Sequence, residues 1–310
     1  MVRKNDSIDV YSKVEPYLLE VKKPGRYTGG EQGSVVKTRD VPLRFAFCFP
    51  DVYDVGMSFL GMKILYELLN EDPEIWCERV FAPWPDMEEL LRRRQLKLYA
   101  LESGDGLDAF DVVGFTLQYE LSYTNILNML DLGGIPLHAD QRKETFPLVV
   151  VGGPCVANVE PLADFIDLAM LGEGEEMLPQ LMELCKTAKR EGWDKSRLLR
   201  AAAGIEGVYV PSLYEVAYQE DGRIQSITPK DGAPARVRKR IIKDFNQARP
   251  STGGPVPYIE VVHSRAVAEI FRGCTRGCRF CQAGFLYRPV RERSIDNICD
   301  IVQAGCENTG

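Results

Sequence analysis

The chain has 310 residues, of which 45% are hydrophobic, and a formal net charge of −7. This length predicts about two domains with enough apolar residues for a core, and the charge argues against bulk nucleic-acid binding. The first residues lack the apolar segment of a signal peptide, no apolar stretch reaches transmembrane length, and the nine cysteines are an odd number. We therefore expect a cytoplasmic protein with reduced thiols and no membrane partner.

The polar start of the chain contrasts with the region that follows it. Residues 1–41 are rich in Lys, Gly and Glu, and we expect them to form an N-terminal arm with one short helix near residues 14–21. Between residues 42 and 190, apolar runs of strand length alternate with helical patterns. The predicted strands are 43–49, 75–81, 111–117, 148–151 and 167–171, and the predicted helices are 59–69, 85–94, 121–132 and 175–190.

This alternation predicts the fold of residues 42–190. Each strand is a near-continuous apolar run, which is typical of a parallel sheet covered by helices on both faces. We therefore predict an α/β domain with a doubly wound parallel sheet. Ligands of such domains bind beyond the carboxyl ends of the strands, and the glycine-rich and polar turns of this sequence lie at those ends.

Residues 191–257 read as a linker region. A short helical connector is expected over 191–205, followed by a strand-rich segment over 207–242 with a turn at Asp221-Gly222 and a hinge over 253–257. The basic run at 236–240 could contact RNA phosphates. Arginine at every second position also fits the solvated face of a strand, which we favour, so a nucleic-acid partner stays open.

The last segment, residues 258–310, contains the most informative motif. Strands are predicted over 258–263 and 266–271, and a helix over 294–306 with Ser294 as its cap and Asp296 in its first turn. Between them, Cys274, Cys278 and Cys281 have the spacing C-x3-C-x2-C.

Three thiolates on one tight loop can hold three irons of a 4Fe-4S cluster. Most such clusters take four protein thiolates, so a loop with three would leave one iron open for a small molecule. Gly273 and Gly277 would let the backbone fold closely around sulfur. Arg272, Arg276 and Arg279 would place positive charge near an anionic cluster.

Other interpretations of the cysteines stay open or are disfavoured. A zinc site is the main alternative, because His263, Cys299 or Cys306 could supply a fourth ligand. A disulfide is disfavoured, because the sequence has no secretory signal. Three further cysteines, Cys48, Cys77 and Cys155, are predicted to be buried free thiols rather than a second cluster.

The cysteine spacing, with Phe280 directly before the third cysteine, resembles the radical S-adenosylmethionine (radical SAM) superfamily. The resemblance implies that Cys274, Cys278 and Cys281 bind a 4Fe-4S cluster, that SAM binds the open iron, and that Phe280 lies against the SAM adenine. It also implies reductive cleavage of SAM to a 5′-deoxyadenosyl radical, with an electron donor such as flavodoxin or ferredoxin. Residues 258–310 would be the first β/α unit of a partial TIM barrel. We therefore expect this chain to be part of a longer enzyme and to be inactive alone.

The α/β region resembles the cobalamin-binding domain that precedes the barrel in one class of radical SAM enzymes. Classical domains carry D-x-H-x-x-G after the first strand, whereas this sequence has Tyr53 in place of the cobalt-binding histidine. The segments 114–117, 151–154 and 171–176 also match at strand ends. The resemblance implies a candidate cobalamin face without a histidine ligand, formed by Tyr53, Gly56, Thr116, Gly152, Gly153 and Glu173.

Several alternatives remain at this stage. A degenerate scaffold without cobalamin competes with a cobalamin site, and Glu173, Glu175 and Glu176 fit charges at a helix start as well as ligands. A non-catalytic fragment or binding module competes with an enzyme. Over residues 40–310 the chain resembles an uncharacterised bacterial radical SAM family whose substrate is not established, so RNA, a tetrapyrrole and a small metabolite all stay open.

Overall fold

The computed structural model describes residues 5–263 and 265–309. Its α-helices are α1 (Val10–Val14), α2 (Tyr53–Gly56), α3 (Leu60–Glu71), α4 (Pro85–Arg94), α5 (Tyr123–Leu132), α6 (Gly174–Glu191), α7 (Lys195–Ala202), α8 (Ala283–Leu286) and α9 (Ile295–Thr309). Its strands are β1 (Leu43–Phe49), β2 (Ile75–Phe81), β3 (Val112–Thr116), β4 (Leu148–Gly152), β5 (Leu168–Met170), β6 (Val208–Tyr209), β7 (Tyr214–Tyr218), β8 (Ile224–Pro229), β9 (Phe271–Arg272) and β10 (Arg291–Glu292).

A six-stranded sheet forms the centre of the molecule, in the order β2-β1-β3-β4-β5-β6. Strands β1 to β5 are parallel, and β6 adds to the edge in the antiparallel direction. Strands β1 and β2 are buried along their whole length, as mainly apolar strands predict for a sheet covered on both faces. The predicted doubly wound α/β fold is therefore confirmed, with one edge strand that comes from the predicted linker region.

Helices cover both faces of this sheet. On one face, α4 and α5 pack through residues such as Leu91 and Ile126. On the other face, α3, α6 and α7 pack through residues such as Leu69, Leu181 and Leu198. Two hydrophobic cores therefore lie on opposite sides of one sheet, which leaves its carboxyl edge open for a site.

The N-terminal segment lies against the α/β unit. Val10, Val14 and Leu18 are buried in the same core as α4 and α5. The single helix predicted near residues 14–21 is replaced by α1 and a 3-10 turn at Glu15–Glu20, with Pro16 near the start of that turn. Apolar residues at every fourth position thus anchor this segment in the core, although its polar composition predicted an N-terminal arm.

Buried ion pairs connect the sheet to its surroundings. Arg44 on β1 is fully buried and pairs with Glu78 and Asp105. Arg79 on β2 pairs with Glu31 of the N-terminal segment at 2.7 Å, so this segment reaches a strand of the central sheet. Buried charges of this kind need partners, since a charge left without one is costly.

The C-terminal part is less regular. Strands β7 and β8 form an antiparallel hairpin, and Gly222 lies in the predicted turn with φ +82°. The expected order of strand, cysteine loop and helix is present as β9, residues 273–290 and α9. The Ser294 Oγ accepts a hydrogen bond from the Asn297 N–H at 3.3 Å, as predicted for a cap.

The strands predicted over 258–263 and 266–271 are wrong for nearly all of these residues. Of these residues only Phe271 is in a strand, β9, which pairs antiparallel with β10. Ser264, which lies between the two predicted strands, is outside the described residues. Tyr258, Val262 and Ile270 expose about half or more of their surface. Such residues favour strands only where a neighbouring strand covers them, and the described residues provide no such neighbour.

Candidate functional site

A cavity of about 690 Å³ opens at the carboxyl edge of the central sheet. Its inner part passes between the sheet and helices α3 and α6, and is lined mainly by Phe45, Phe47, Ile64, Leu65, Met177 and Leu178. The turns after β3, β4 and β5 form its mouth, with Thr116, Gly153 and Gly172 among them. The cavity therefore lies where parallel α/β sheets bind ligands, as the sequence predicts.

Glycines keep this edge of the sheet open. A Cβ on Gly114 would lie 2.3 Å from the ring of Phe45, so the sheet and the ring approach too closely for any side chain. Gly153 has φ +100°, and a Cβ there would lie 2.7 Å from the Leu117 carbonyl. A Cβ on Gly152 would meet nothing nearer than Met170 at 3.9 Å, so the space above Gly152 belongs to the cavity.

Four of the six residues predicted to face cobalamin line this cavity: Thr116, Gly152, Gly153 and Glu173. The Thr116 Oγ1 accepts a hydrogen bond from the Gln118 side chain at 2.5 Å. The structure thus brings together turns that are far apart in the sequence.

Tyr53 and Gly56, which were predicted to face a ligand, are not among the residues that line this cavity. Tyr53 is 1% exposed, its hydroxyl donates to Glu31 at 2.7 Å, and its ring lies edge-on to Phe81. Burial and the nearby Glu31 carboxylate raise the pKa of the Tyr53 hydroxyl. A Cβ on Gly56 would lie 2.4 Å from the Phe81 ring, so this glycine serves packing. Glu31, which holds the Tyr53 hydroxyl in the core, belongs to the N-terminal segment.

The cysteine segment forms another side of the same cavity. Phe271, Gly273 and Tyr287 line it together with the turns of the sheet. Helix α8, directly after the third cysteine, packs on the 3-10 turn Pro154–Asn158 that follows β4. The cysteine loop and the edge of the sheet therefore face one cavity from two sides.

Ion pairs hold the two sides together. The Arg291 guanidinium donates to both carboxylate oxygens of Glu173 at 2.6 and 2.7 Å, and Arg272 donates to Glu175 at 2.9 Å. Burial alone would raise the pKa of Glu173, but the hydrogen bonds from Arg291 and the Ile242 N–H outweigh it and lower that pKa. Arg272, which we expected beside a cluster, therefore pairs both with Glu269 of the cysteine segment and with Glu175 of the α/β unit.

The three loop cysteines are free thiols that solvent reaches. Cys278 is exposed, and Cys274 and Cys281 are half-buried. The Cys274 Sγ accepts a hydrogen bond from the Arg276 N–H at 3.5 Å, and Phe280 is 93% exposed. No three Cys, His, Asp or Glu side chains among residues 5–263 and 265–309 converge on a common centre that could hold a metal ion.

The chemistry of this loop nevertheless fits an iron-sulfur cluster. Thiolates are the usual ligands of such clusters, and backbone N–H groups that donate to sulfur tune their potential. Gly277 has φ +67°, and a Cβ on Gly273 would lie 2.6 Å from the Pro289 carbonyl, so both glycines shape the loop. His263, Cys299 and Cys306 do not join the loop cysteines in a ligand set within the described part of the chain.

The other cysteines are structural. Cys48, Cys77 and Cys155 are buried and free, as predicted, and so is Cys185. Burial raises the pKa of the Cys155 thiol to about 11, and the nearby Glu120 adds to this shift. A thiol with so high a pKa is a poor nucleophile and a poor metal ligand at neutral pH.

Two residues of the basic run at 236–240 form contacts within the molecule. The Lys239 ammonium donates to the carbonyls of Leu286 and Arg288 at 2.6 Å each, and Arg240 pairs with Glu176. Arg236 and Arg238 are exposed. The basic run, which we expected to form a solvated face, therefore also contacts the cysteine segment through Lys239.

Known proteins resemble this chain over different lengths. Residues 61–211 match the family model described as "Radical SAM proteins, N-terminal". The match covers just under half of the chain, and the cysteine loop lies outside the matched residues.

Two further proteins are similar. An uncharacterised protein of Methanocaldococcus jannaschii, MJ0966, is 28% identical over 263 residues, which are 84% of this chain and 45% of that protein. The radical SAM methyltransferase TsrM of Kitasatospora setae, solved with tryptophan substrate and a SAM analogue, matches with TM-score 0.42 and 16% identity over 84% of this chain and 45% of TsrM. The chain thus spans about half the length of the curated relative. A structural match with a TM-score of 0.42 identifies no activity for this chain.

Within the described residues, no helix is both long and apolar enough to cross a membrane.

Proposed function

We propose that this chain carries the cluster-binding loop and the adjoining cofactor cavity of a radical SAM enzyme. The observation that carries the proposal is the shared cavity, which the turns of the parallel sheet and the cysteine segment line together. A reactive group held by the loop would then face a ligand held by the sheet, and such proximity is what catalysis by bound cofactors requires.

In this proposal Cys274, Cys278 and Cys281 each hold one iron of a 4Fe-4S cluster. When bound with SAM, such a cluster supplies the electron that cleaves SAM to methionine and a 5′-deoxyadenosyl radical. Exposed Phe280 offers a ring for the SAM adenine, and exposed Arg276 and Arg279 offer positive charge to an acidic electron donor such as flavodoxin or ferredoxin.

Cobalamin is a second ligand that the cavity favours. The slot between the sheet and α3 and α6 is apolar, and Thr116, Gly152 and Gly153 at its mouth leave room for a flat ring system. Tyr53 is buried and its hydroxyl is bonded to Glu31, so this residue would not hold cobalt. Glu173 lines the cavity, but both of its oxygens accept hydrogen bonds from Arg291, so in this proposal it holds the cysteine segment.

Two other functions would give different results in the same experiments. A zinc-stabilised loop would bind zinc in place of iron and sulfide, and a non-catalytic binding module would bind neither cluster nor SAM. The chain covers 45% of its curated relative, and we expect no turnover from its 310 residues alone, because a ligand between barrel strands needs more than one β/α unit.

Anaerobic reconstitution with iron and sulfide tests the proposal. We expect about four irons per chain, and a loss of most of this iron in Cys278→Ala. The matched control is Cys306→Ala, since Cys306 is also an exposed free thiol but lies on α9, away from the loop. Equal iron binding by both variants, or binding of zinc alone, would reject the cluster.

A further inference from the structure

A cluster of buried ion pairs joins the cysteine segment to the start of α6. Glu173, which directly precedes α6, and Arg291 on β10 each expose 9% of their side chains. Arg291 binds both oxygens of this carboxylate, the geometry that gives a guanidinium its strongest and most directional contact. A pair so well buried restricts both partners to one orientation.

The second pair acts at the other end of the cysteine loop. Arg272 on β9 lies two residues before Cys274, and its guanidinium contacts Glu175 at 2.9 Å. The same guanidinium donates to both oxygens of Glu269 at 2.8 and 2.9 Å, so it joins the cysteine segment to α6 while bound to a carboxylate of its own segment. Arg272 and Arg291 face each other in the register of β9 and β10. The two strands that enter and leave the cysteine loop are therefore both tied to the first turn of α6.

Neighbouring groups hold these arginines in place. The buried ring of Phe245 lies beside three guanidinium groups, with the Cζ atoms of Arg272, Arg291 and Arg293 at 5.0, 6.0 and 4.4 Å from its centroid. Lys239 donates to two backbone carbonyls of the segment between the third cysteine and β10. The base of the loop is thus fixed, whereas its tip, with Cys278 and Phe280, is exposed.

We propose that Glu173 and Glu175 are positioning residues, which act through Arg291 and Arg272 to fix the orientation of the cysteine loop over the cavity mouth. The proposal rests on the proposed function of the loop as a cluster site. The two carboxylates at the start of α6 would thus align the cysteine loop with the cavity instead of binding a cofactor. Reacting groups must be held within about 0.5 Å of their productive geometry, which a loop without such support does not achieve.

The accessibility of the thiols in the metal-free chain tests this proposal without any cluster. In Glu173→Gln the charge is lost but the shape is kept, and Arg291 is left without its carboxylate. We expect the alkylation rates of Cys274 and Cys281, followed by mass spectrometry, to rise about fivefold or more, because local opening exposes them. The matched control is Glu176→Gln, in the same turn, whose carboxylate pairs with Arg240 instead; we expect no change.

The remaining cysteines serve as internal references. Cys299 and Cys306 are exposed on α9 and should react at unchanged rates. The four buried thiols should stay protected: Cys48, Cys77, Cys155 and Cys185. If they also became reactive, Glu173 would support the whole α/β unit, and the proposal would be wrong. Unchanged rates at Cys274 and Cys281 would equally overturn it.

A spectroscopic measurement separates positioning from simple stability. After reconstitution, we expect Glu173→Gln to broaden the electron paramagnetic resonance signal of the reduced cluster, and Glu176→Gln to keep the wild-type line shape. The double variant Glu173→Gln, Arg291→Gln should raise the alkylation rates no further than the single one, because both remove one interaction. If the alkylation rates of the double variant rose by the product of the two single effects, Glu173 and Arg291 would not act as one pair. If the chain binds no iron but the alkylation pattern appears, the positioning role stands and the cluster proposal fails.

Discussion

The α/β unit and the cysteine segment differ in how far their apolar side chains and strands are covered. In the α/β unit, charged residues such as Arg44 and Arg79 are buried and paired, and the strands are covered on both faces. In the described residues 258–263 and 265–309, large apolar side chains such as Phe280 and Ile295 are exposed, and the strands β9 and β10 have two residues each. Stability therefore lies in the first region, whereas the reactive thiols lie in the second.

The largest expected effect of a single substitution is at Arg79. In Arg79→Met the carboxylates of Glu31 and Glu102 keep their charge in the core and lose their partner, so the free energy of unfolding should fall by about 3–5 kcal/mol. Urea unfolding followed by circular dichroism measures this change. The control is Arg223→Met on the exposed hairpin, where we expect a change within about 0.5 kcal/mol. Similar losses in both variants would remove the contrast between buried and exposed charge.

A smaller loss of stability is expected at Gly114. The Cβ of Gly114→Ala would overlap the ring of Phe45, and overpacking of this kind costs about 1–3 kcal/mol. Thermal unfolding should show the decrease. Gly253→Ala in the C-terminal region is the control, since its Cβ would meet only Asn308 at 3.7 Å. If Gly114→Ala were as stable as the wild type, the close contact of sheet and ring would be wrong.

Glu78 should contribute to the pH dependence of stability between about pH 5 and 7.5. Burial raises the pKa of Glu78 to about 7; the carboxylate of Glu102 adds to the shift and Arg44 opposes it. Because this folded-state pKa lies above the usual value, the folded chain binds the proton more tightly than the unfolded chain, and this contribution is lost as the pH rises through about 7. We expect unfolding to become easier by about 2 kcal/mol between about pH 5 and 7.5.

The matched variant for this pH effect is Glu78→Gln. It cannot ionise, so its stability should change little over the same pH range. Urea titrations at a series of pH values would show this, and a slope in Glu78→Gln as steep as that of the wild type would assign the effect to other groups.

The smallest effect concerns ligand affinity. Gly152→Leu should fill the cavity mouth without straining the sheet, because its Cβ has room, and it should weaken binding of hydroxocobalamin about tenfold or more. Absorbance titration measures the Kd, with Gly253→Ala as the control. Equal affinity in both variants would place the corrin outside this cavity, and no binding by the wild type would reject cobalamin.

The sequence predicts the α/β unit well, for a physical reason. Strands β1 and β2 are buried on both faces, so their apolar runs coincide with the observed bounds. The strands expected over 258–271 failed because the same residue types are exposed there without a pairing partner. Strand propensity alone does not report what covers a strand.

The sequence predicts where the candidate site lies, but not which long-range contacts position its residues. The turns after β3, β4 and β5 meet at one edge because parallel strands end there, which puts Thr116, Gly152 and Gly153 at the cavity. The position of Tyr53 depended on Glu31, which is 22 residues away in the sequence. The pairing of Glu173 with Arg291 spans 118 residues, and no local pattern could indicate it.

The central claim is that the three-cysteine loop holds a 4Fe-4S cluster with one iron open to SAM. Electron paramagnetic resonance of the reconstituted, reduced chain, recorded with and without SAM, tests it most directly. We predict a cluster signal whose g-values change when SAM is added, because SAM becomes a ligand of the open iron. The absence of a cluster signal, or a signal that SAM leaves unchanged, would contradict this account.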